Sequence, residues 1–354
     1  MGIDPGQGTL PPTLADVAER AGVSRQTVSN AINNPSLLRA DTLDRVRRAI
    51  VDLGYLPNRA ARNLRTGTSR LVGLRVPPVP ESTANSTMDR FVHALVEASG
   101  LAGYHVLLVA DGYTEAADGT RMPDPIKGYD DLLRSTAVDA FVVTDTYLGN
   151  PQTTWLAERR APFVAFGRPW DDPAARHAWV DVDGAAGTRL ATEHLMDRGH
   201  QRVAWLGWPA GSRIGQDRRT GWERAMLARR CDTGGLAWTT EDSLEPARRV
   251  AATMLDVARP SAVVCASDTL AMAVLHVLAE RGLRPGHDLA VVGFDDSATA
   301  QTVPPGLTSV RPPMDRAAVA VVDALRGLLG AEQFTPTGVL LTPTLSVRGS
   351  TVPS

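Results

Sequence analysis

The chain has 354 residues, 43% of them hydrophobic and 21% charged, with a net charge of −2. That length exceeds one ordinary core, so two or three domains are expected, and the composition is globular rather than disordered or fibrous. No run approaches the roughly 20 apolar residues of a membrane span, and the opening MGIDPGQGTLPP lacks the basic and apolar regions of a secretory signal, so a cytoplasmic protein without membrane association is expected.

The charge is unevenly spread. Residues 1–70 hold ten Arg, no Lys and six acidic residues, a surplus of four positive charges that leaves the remainder at −6. A basic head on an acidic body fits nucleic-acid binding by the head. Residues 1–12 read as a disordered tail. Thr13 can cap a first helix over 14–21, Gly22 permits a turn through positive φ, and Ser24 can cap a second helix over 25–33. Leu14, Val17, Ala18 and Val23 can face Val28 and Ile32 across that turn. Such a helix-turn-helix places the start of its second helix in the DNA major groove. A third helix, 41–53, shows Leu43, Val46, Ile50 and Leu53 on one face. The head therefore spans 13–57. Residues 58–64 form a short polar segment, too short for a stable isolated helix, and 66–69 read as a linker.

From residue 70 the pattern becomes α/β. Apolar strands at 71–76, 105–109, 140–144 and 163–166 alternate with helices at 88–102, 128–135 and 153–159. The alternation restarts after Asp183. Strands at 202–206, 262–265 and 290–293 are interleaved with helices at 186–198, 218–229, 245–258 and 269–281. Continuous apolar strands of this kind mean parallel sheets covered on both faces, and two such series mean two Rossmann-like lobes. Ligands of these sheets bind at the carboxyl ends of the strands, which here means the cleft between lobes. The lobes are expected to divide as 70–183 with 307–330, and 184–306 with 331–354.

The motifs carry a family resemblance. TLADVAERAGVSRQTVSNAIN and GYLPNRAARNL in the head are followed by GYHVLLV, PFVAFGRP, DGAAGTRLATEHLMDRGH, RRTGW, GFDDS, LTSVRPP and LSVRGST. From Thr13 to Thr351 the chain resembles the LacI/GalR family of bacterial transcription regulators. The resemblance implies a helix-turn-helix head before a periplasmic-binding-protein-like body of type I. It implies a homodimer on a pseudo-palindromic double-stranded operator, and control by a small effector.

On that resemblance Arg25 and Gln26 read bases, and Thr13, Ser24, Thr27, Ser29 and Asn30 lie at the DNA. Arg pairs bidentately with guanine and Gln with adenine, each for about 1–3 kcal/mol of discrimination. Asn58, Arg59, Ala61 and Leu64 match a hinge helix whose leucine wedges into the minor groove. Two departures stand out: Asn30 replaces a frequent Arg, and Arg39 stands where a Ser or Thr cap is usual, which weakens the third helix start by about 1 kcal/mol.

For the effector the resemblance implies Asp183, Arg218, Ser267 and Asp295, with Trp238 as the stacking aromatic among Phe166, Trp170, Trp208 and Trp222. Asn85, Met88, Asp145, Phe166 and Arg168 are the first-lobe candidates. Residues 85–88 read Asn-Ser-Thr-Met where the family has Asn-Pro-Phe-Phe, so the ligand need not be a plain hexose. A sugar, a related polyhydroxylated metabolite, or a nucleoside or purine is expected. Asp183 can alternatively cap the following helix, and Arg218 and Asp295 can pair with each other.

Two other classes fit less well. A transport solute-binding protein shares the two-lobe body but has neither the head nor a missing signal peptide. An enzyme is disfavoured because no P-loop, G-x-S-x-G, H-E-x-x-H or G-x-G-x-x-G after a strand occurs. No cofactor or metal is expected: His194 and His200 belong to a helix-turn pattern, Cys231 and Cys265 form no CxxC, and Cys265 reads as a core residue.

Overall fold

A computed structural model describes residues 12–56, 67–75, 86–110, 112–115, 118–144, 146–147, 149–170, 172, 175–330 and 335–352. The expectations on the tail, the 58–64 hinge with Asn58, Arg59, Ala61 and Leu64, and on Asn85 and Asp145 lie outside the described residues. The chain divides into two compact units between Ser69 and Arg70.

The first unit contains α1 (Leu14–Ala21), α2 (Arg25–Asn33), a single 3-10 turn (Pro35–Leu37) and α3 (Ala40–Leu53). Local chemistry sets each boundary. Thr13 accepts from the Asp16 amide while Asp16 accepts from the Thr13 amide, a capping box. Gly22, at φ 62, ends α1, and Gly54, also at φ 62, ends α3. The Ser24 hydroxyl accepts from the Thr27 amide. Arg39 occupies the cap of α3 and makes no side-chain cap bond. The three helices close on Val17, Ala18, Ala21, Val28, Val46, Ala49 and Tyr55. Leu43 is absent from that core, and Tyr55, beyond the expected helix, belongs to it.

In the second unit the first lobe begins with β1 (Leu71–Arg75), α4 (Ser86–Leu101) and β2 (His105–Val109). A two-stranded hairpin follows, β3 (Gly112–Glu115) with β4 (Arg121–Asp124), and then α5 (Lys127–Arg134), β5 (Ala140–Val143), α6 (Pro151–Glu158), β6 (Phe163–Phe166) and β7 (Ala178–Val182). The second lobe takes α7 (Gly184–Met196), β8 (Val203–Gly207), α8 (Arg213–Ala228), β9 (Ala237–Thr239), α9 (Leu244–Val257), β10 (Ala262–Cys265), α10 (Asp268–Glu280), β11 (Ala290–Phe294), α11 (Ala298–Thr302) and β12 (Thr308–Arg311). Three elements close the chain: α12 (Met314–Gly330), β13 (Gly338–Leu341) and β14 (Thr344–Ser346).

The strands form two six-stranded sheets, ordered β13-β7-β6-β5-β1-β2 and β14-β12-β11-β10-β8-β9. The first is parallel throughout. The second is parallel except for β14, which runs antiparallel to β12. Strands such as Ala262–Cys265 and Ala290–Phe294 are buried along their whole length, as a sheet covered on both faces requires.

This topology corrects the expected lobe boundaries. Residues 308–311, assigned to the first lobe, pair with β11 in the second sheet, Val292 opposite Thr308. Residues 338–341, assigned to the second lobe, pair with β7 in the first, Val339 opposite Val180. Pro312-Pro313 has no amide hydrogens to continue the β12 ladder, so the chain leaves the second lobe there and enters α12. α12 packs in the first-lobe core through Met314, Ala317, Ala318, Val321 and Val322. Three passages therefore join the lobes, near Asp183, at Pro312-Pro313 and at Thr342-Pro343.

Candidate functional site

On the head, Ser24, Arg25 and Gln26 at the start of α2 are exposed, while Val28 on its opposite face is fully buried. Burial of the Val28 and Val17 face leaves the N-terminal turn of α2 as the presented edge. Gln26 donates through Nε2 to Asn30 Oδ1 at 3.1 Å, one helical turn away. Asn33 Nδ2 donates to the Ser29 carbonyl. Ser24 and Thr27 share a hydroxyl contact at 2.9 Å. Asn30 thus holds the amide that is expected to meet a base.

In the body, the carboxyl ends of strands from both lobes bring a charged cluster together. Arg218 is its centre. It sits inside α8 rather than at the helix start expected from sequence, because Ser212 caps α8 earlier by accepting from the Gly215 amide. Gly221 makes the position possible. A Cβ there would lie 2.0 Å from the Ala185 carbonyl oxygen and 2.3 Å from Thr188 Oγ1, so α7 and α8 touch backbone to backbone. Thr188 then donates to the Arg218 carbonyl.

The Arg218 guanidinium lies 3.6 Å above the Phe294 ring and 5.1 Å from the Trp208 ring. Its Nη1 donates to the Ala266 carbonyl at the end of β10 and stands 3.7 Å from Asp295 Oδ1. Burial disfavours the Arg218 cation, and Asp295, Asp242, Asp181 and Asp217 around it favour it. Asp295 responds in the opposite sense. Burial pushes its carboxyl up to about 7, Arg218 works against that, and Asp268 adds to it. Asp295 also holds φ 116 and Asp296 φ 49, a region that side-chain-bearing residues rarely adopt.

Below this pair, the lobe-two end of the cleft is rigidly hydrogen-bonded. Asp268 accepts from Ser309 Oγ at 2.6 Å and from the Ser297 amide at 2.8 Å, and burial raises its carboxyl. Asp296, almost fully buried, pairs with Arg348 at 2.5 Å and with Arg311 at 3.6 Å. On the other side Arg168, from the first lobe, donates to Asp181 at 2.5 Å and lies 3.4 Å from Asp217 on α8. Asp217 also accepts from the Ala185 amide, and burial raises its carboxyl.

The expected effector residues separate into groups. Arg218 and Asp295 come together, and Arg168 joins them through Asp217. Phe166 ends β6 but stacks on Phe91, centroids 3.9 Å apart. Met88 packs against the first-lobe core. Asp183 caps α7 by accepting from the Ala186 amide at 2.8 Å, the alternative its position allowed. Ser267 is 2% exposed, caps α10 through the Leu270 amide, and donates to Asp242 at 2.5 Å. Trp238 donates to the Gly235 carbonyl at 3.1 Å and packs on the second-lobe core. Trp222 is fully buried with its indole on the Val203 carbonyl.

Sequence reasoning missed Asp242 and Arg90 and ranked Trp238 above Trp208. The signal for Trp208 was available: it follows β8 directly, at a strand's carboxyl end. Three buried donors, Trp170 Nε1, Trp208 Nε1 and Arg218 Nε, have no hydrogen-bond acceptor among the described residues. Trp170 lies beneath the Arg168 guanidinium at 4.4 Å. Trp170 follows β6 of the first lobe and Trp208 follows β8 of the second, so the unpaired donors come from both lobes.

His194 is occupied structurally. Its Nε2 lies 2.9 Å from Thr351 Oγ1, which in turn meets Thr308 Oγ1 at 2.7 Å, and burial pushes the imidazole down to about 4. Among the described residues no helix is long and apolar enough to cross a membrane.

Comparison with known proteins agrees with this architecture. The family described as Bacterial regulatory proteins, lacI family, matches residues 13–58, and a Periplasmic binding protein-like domain matches residues 192–351. The transcriptional regulator CelR of Thermobifida fusca is 32% identical over 348 residues, 96% of this chain and 98% of that one. A solved CelR–cellobiose complex is 30% identical with a TM-score of 0.70, covering 96% and 99% of the two chains. The lac repressor dimer bound to operator and the anti-inducer ONPF is 26% identical with a TM-score of 0.80, covering 97% and 100%. With likeness running through head and body alike, the chain belongs to the lacI family of bacterial regulatory proteins: it is a non-enzymatic, DNA-binding transcriptional regulator with a ligand-binding domain.

Proposed function

We propose that the protein is a cytoplasmic repressor that binds a pseudo-palindromic operator as a homodimer and changes its operator affinity when a small hydroxyl-rich effector fills the interlobe cleft. The observation that carries the effector half is the Arg218 cluster. Arg218 Nε and Trp208 Nε1, whose ring lies 5.1 Å from the Arg218 guanidinium, are unpaired beside the Asp295 carboxylate, and Trp170 Nε1 is unpaired beside Arg168 and its Asp181 and Asp217 partners. A hydroxyl both donates and accepts, so a sugar-like molecule satisfies both kinds of group at once. Arg168 and Arg218 already face carboxylates, and Asp181, Asp217, Asp242 and Asp295 outnumber them. That balance favours an uncharged effector over a phosphorylated one.

The relatives support the same reading. CelR is solved with cellobiose, and the lac repressor is solved as a dimer on its operator. On the head, Arg25 and Gln26 are the base-reading pair, Thr27 and Ser29 meet nearby phosphates or bases, and Thr13, Ser24 and Asn30 are further DNA contacts. The 58–64 segment, with Asn58, Arg59, Ala61 and Leu64, is the conditional element that effector occupancy favours or disfavours. Coupling of about 1–3 kcal/mol between effector and operator is typical of such proteins.

The test begins with operator fragments selected from genomic DNA by the purified protein. Operator affinity is then measured against a panel of cellobiose, monosaccharides, sugar alcohols, nucleosides and purines. A bound effector at 100 Kd also adds about 2.7 kcal/mol of stability, so thermal shift identifies it. Operator affinity should change at least fivefold with the effector, and Arg218→Ala should abolish that response while still binding operator. Selection of no DNA, or a response kept by Arg218→Ala, refutes the reading.

A further inference from the structure

Arg90 lies on α4 of the first lobe, one residue before Phe91, whose ring is stacked on Phe166. Its guanidinium leaves its own lobe. Nη1 donates to the Asp295 carbonyl at 2.8 Å and Nη2 to the Pro312 carbonyl at 3.4 Å. Asp295 directly follows β11, and Pro312 directly follows β12, so both acceptors end strands of the second sheet.

The Asp295 acceptor is a residue under backbone constraint. Its φ is 116, and its amide donates to the Val310 carbonyl at 2.8 Å. Asp295 is therefore held on its amide side by the second lobe and on its carbonyl side by the first. The same residue presents its carboxylate 3.7 Å from Arg218. Arg168 makes another interlobe bridge, but it is also bound to Asp181 in its own lobe, and Asp217 has a second partner in the Ala185 amide. Arg90 has both of its hydrogen-bond acceptors across the cleft.

We propose that Arg90 is a positioning residue for the effector site: a strut between the lobes that fixes Asp295 in its constrained conformation and sets how far the lobes close, without touching the effector. The proposal rests on reading the cleft as that site. The chemistry suits a strut. A guanidinium offers a planar set of donors that spans two carbonyls at once, whereas an ammonium carries its three donors on one nitrogen at the end of a flexible stem. Because the acceptors close β11 and β12, any change in lobe angle stretches these bonds directly. The chain then runs from β12 through Pro312 into α12 of the first lobe, so the strut lies beside one of the passages about which the lobes turn.

The experiment measures lobe closure directly. Spin labels are placed at the native Cys231 in the second lobe and at Leu101→Cys in the first, where Leu101 is 87% exposed. Cys265 is buried and burial pushes its thiol up, so it stays unlabelled. The labelled full-length chain is diluted with unlabelled chain so that only intramolecular distances are read. Wild type should give one narrow distance distribution. Arg90→Ala should broaden it toward longer distances, with unchanged circular dichroism, and Arg90→Lys should restore it only in part. A crystal structure of Arg90→Ala should show Asp295 relaxed to negative φ and farther from Arg218. A distribution for Arg90→Ala that superimposes on wild type overturns the strut, and an Asp295 that keeps its φ overturns its positioning role. If Arg90→Ala fails to fold, Arg90→Lys and Arg90→Gln carry the same comparison. Neither readout needs an effector, so an empty ligand screen bears on the reading of the cleft and leaves the strut measurable.

Discussion

At the scale of single residues, Asp295 is where burial and charge oppose each other. Its carboxyl is pushed up to about 7, above the ordinary carboxylate range near 4, because burial outweighs Arg218 at 3.7 Å. Folding thus takes up a proton at Asp295 between about pH 4 and pH 7, and this group's contribution to stability falls as pH rises through that window. Asp217 and Asp268, both raised by burial, act in the same sense. His194, pushed down to about 4, acts oppositely, losing stability as pH falls below its ordinary 6.5. The isolating measurement is therefore a difference: wild type minus Asp295→Asn, by chemical unfolding from pH 5 to pH 8. Wild type should lose stability relative to the variant as pH rises from 5 to 7, and a flat difference refutes the assignment. Effector binding should run the other way. A hydroxyl donates best to the ionised carboxylate, so affinity should rise by up to about tenfold per pH unit below 7 and level off above it. The R-x-x-G spacing and the GFDDS run made Arg218 and Asp295 legible in the sequence. Arg90 and Asp242 were not, because nothing local marks a side chain whose partners lie 205 residues along the chain or whose neighbour Ser267 is a buried cap.

Among the elements, the contact between α7 and α8 shows how one missing Cβ sets the position of a candidate effector residue. Gly221 lets the Ala185 carbonyl approach to a distance that any side chain would block. That approach seats Thr188 on the Arg218 carbonyl and Asp217 on the Ala185 amide. Gly221→Ala should therefore move α8 outward and cost about 1–3 kcal/mol, the range for overpacking a close-packed interior. Effector response should be lost in the same variant, since Arg218 travels with the helix. An effector response equal to wild type in a destabilised Gly221→Ala protein would count against this link. The opposite outcome is expected at α3. Arg39 caps nothing there, so Arg39→Ser should stabilise the head by about 1 kcal/mol in denaturant unfolding. Caps of this kind were readable residue by residue: Thr13, Gly22 and Ser24 all do what their chemistry suggested. Strands β9, β13 and β14 were not. β9 and β14 are short and lack the continuous apolar run that marks β10 or β11, and β13, though Gly-Val-Leu-Leu is apolar, is exposed over much of its length. Which sheet β13 joins is decided by register against Val180, a fact with no local signature.

For the whole molecule, the covalent path and the chemical burden divide at the same place. The compact units part between Ser69 and Arg70. Each has its own closed core, one around Val17, Val28 and Val46, the other in the two sheets. A core of seven buried residues is small, and small domains bury a lower share of their apolar surface, so the head should be the less stable part. Differential scanning calorimetry of the full-length protein without DNA should accordingly show two transitions, the head first. An effector binds only the folded body, so it should raise the upper transition and leave the lower one unmoved. An operator fragment should raise the lower one, and this shift should shrink steeply with salt, since each neutralised phosphate contributes a slope of about −0.9 in log affinity against log salt. With both ligands present, coupling between effector and operator binding, as proposed, should make the two transitions no longer independent. Four scans thus separate recognition, effector binding and their linkage. One transition that moves with either ligand alone would mean that head and body unfold as a single cooperative unit, and control by a conditional hinge would then have no physical basis.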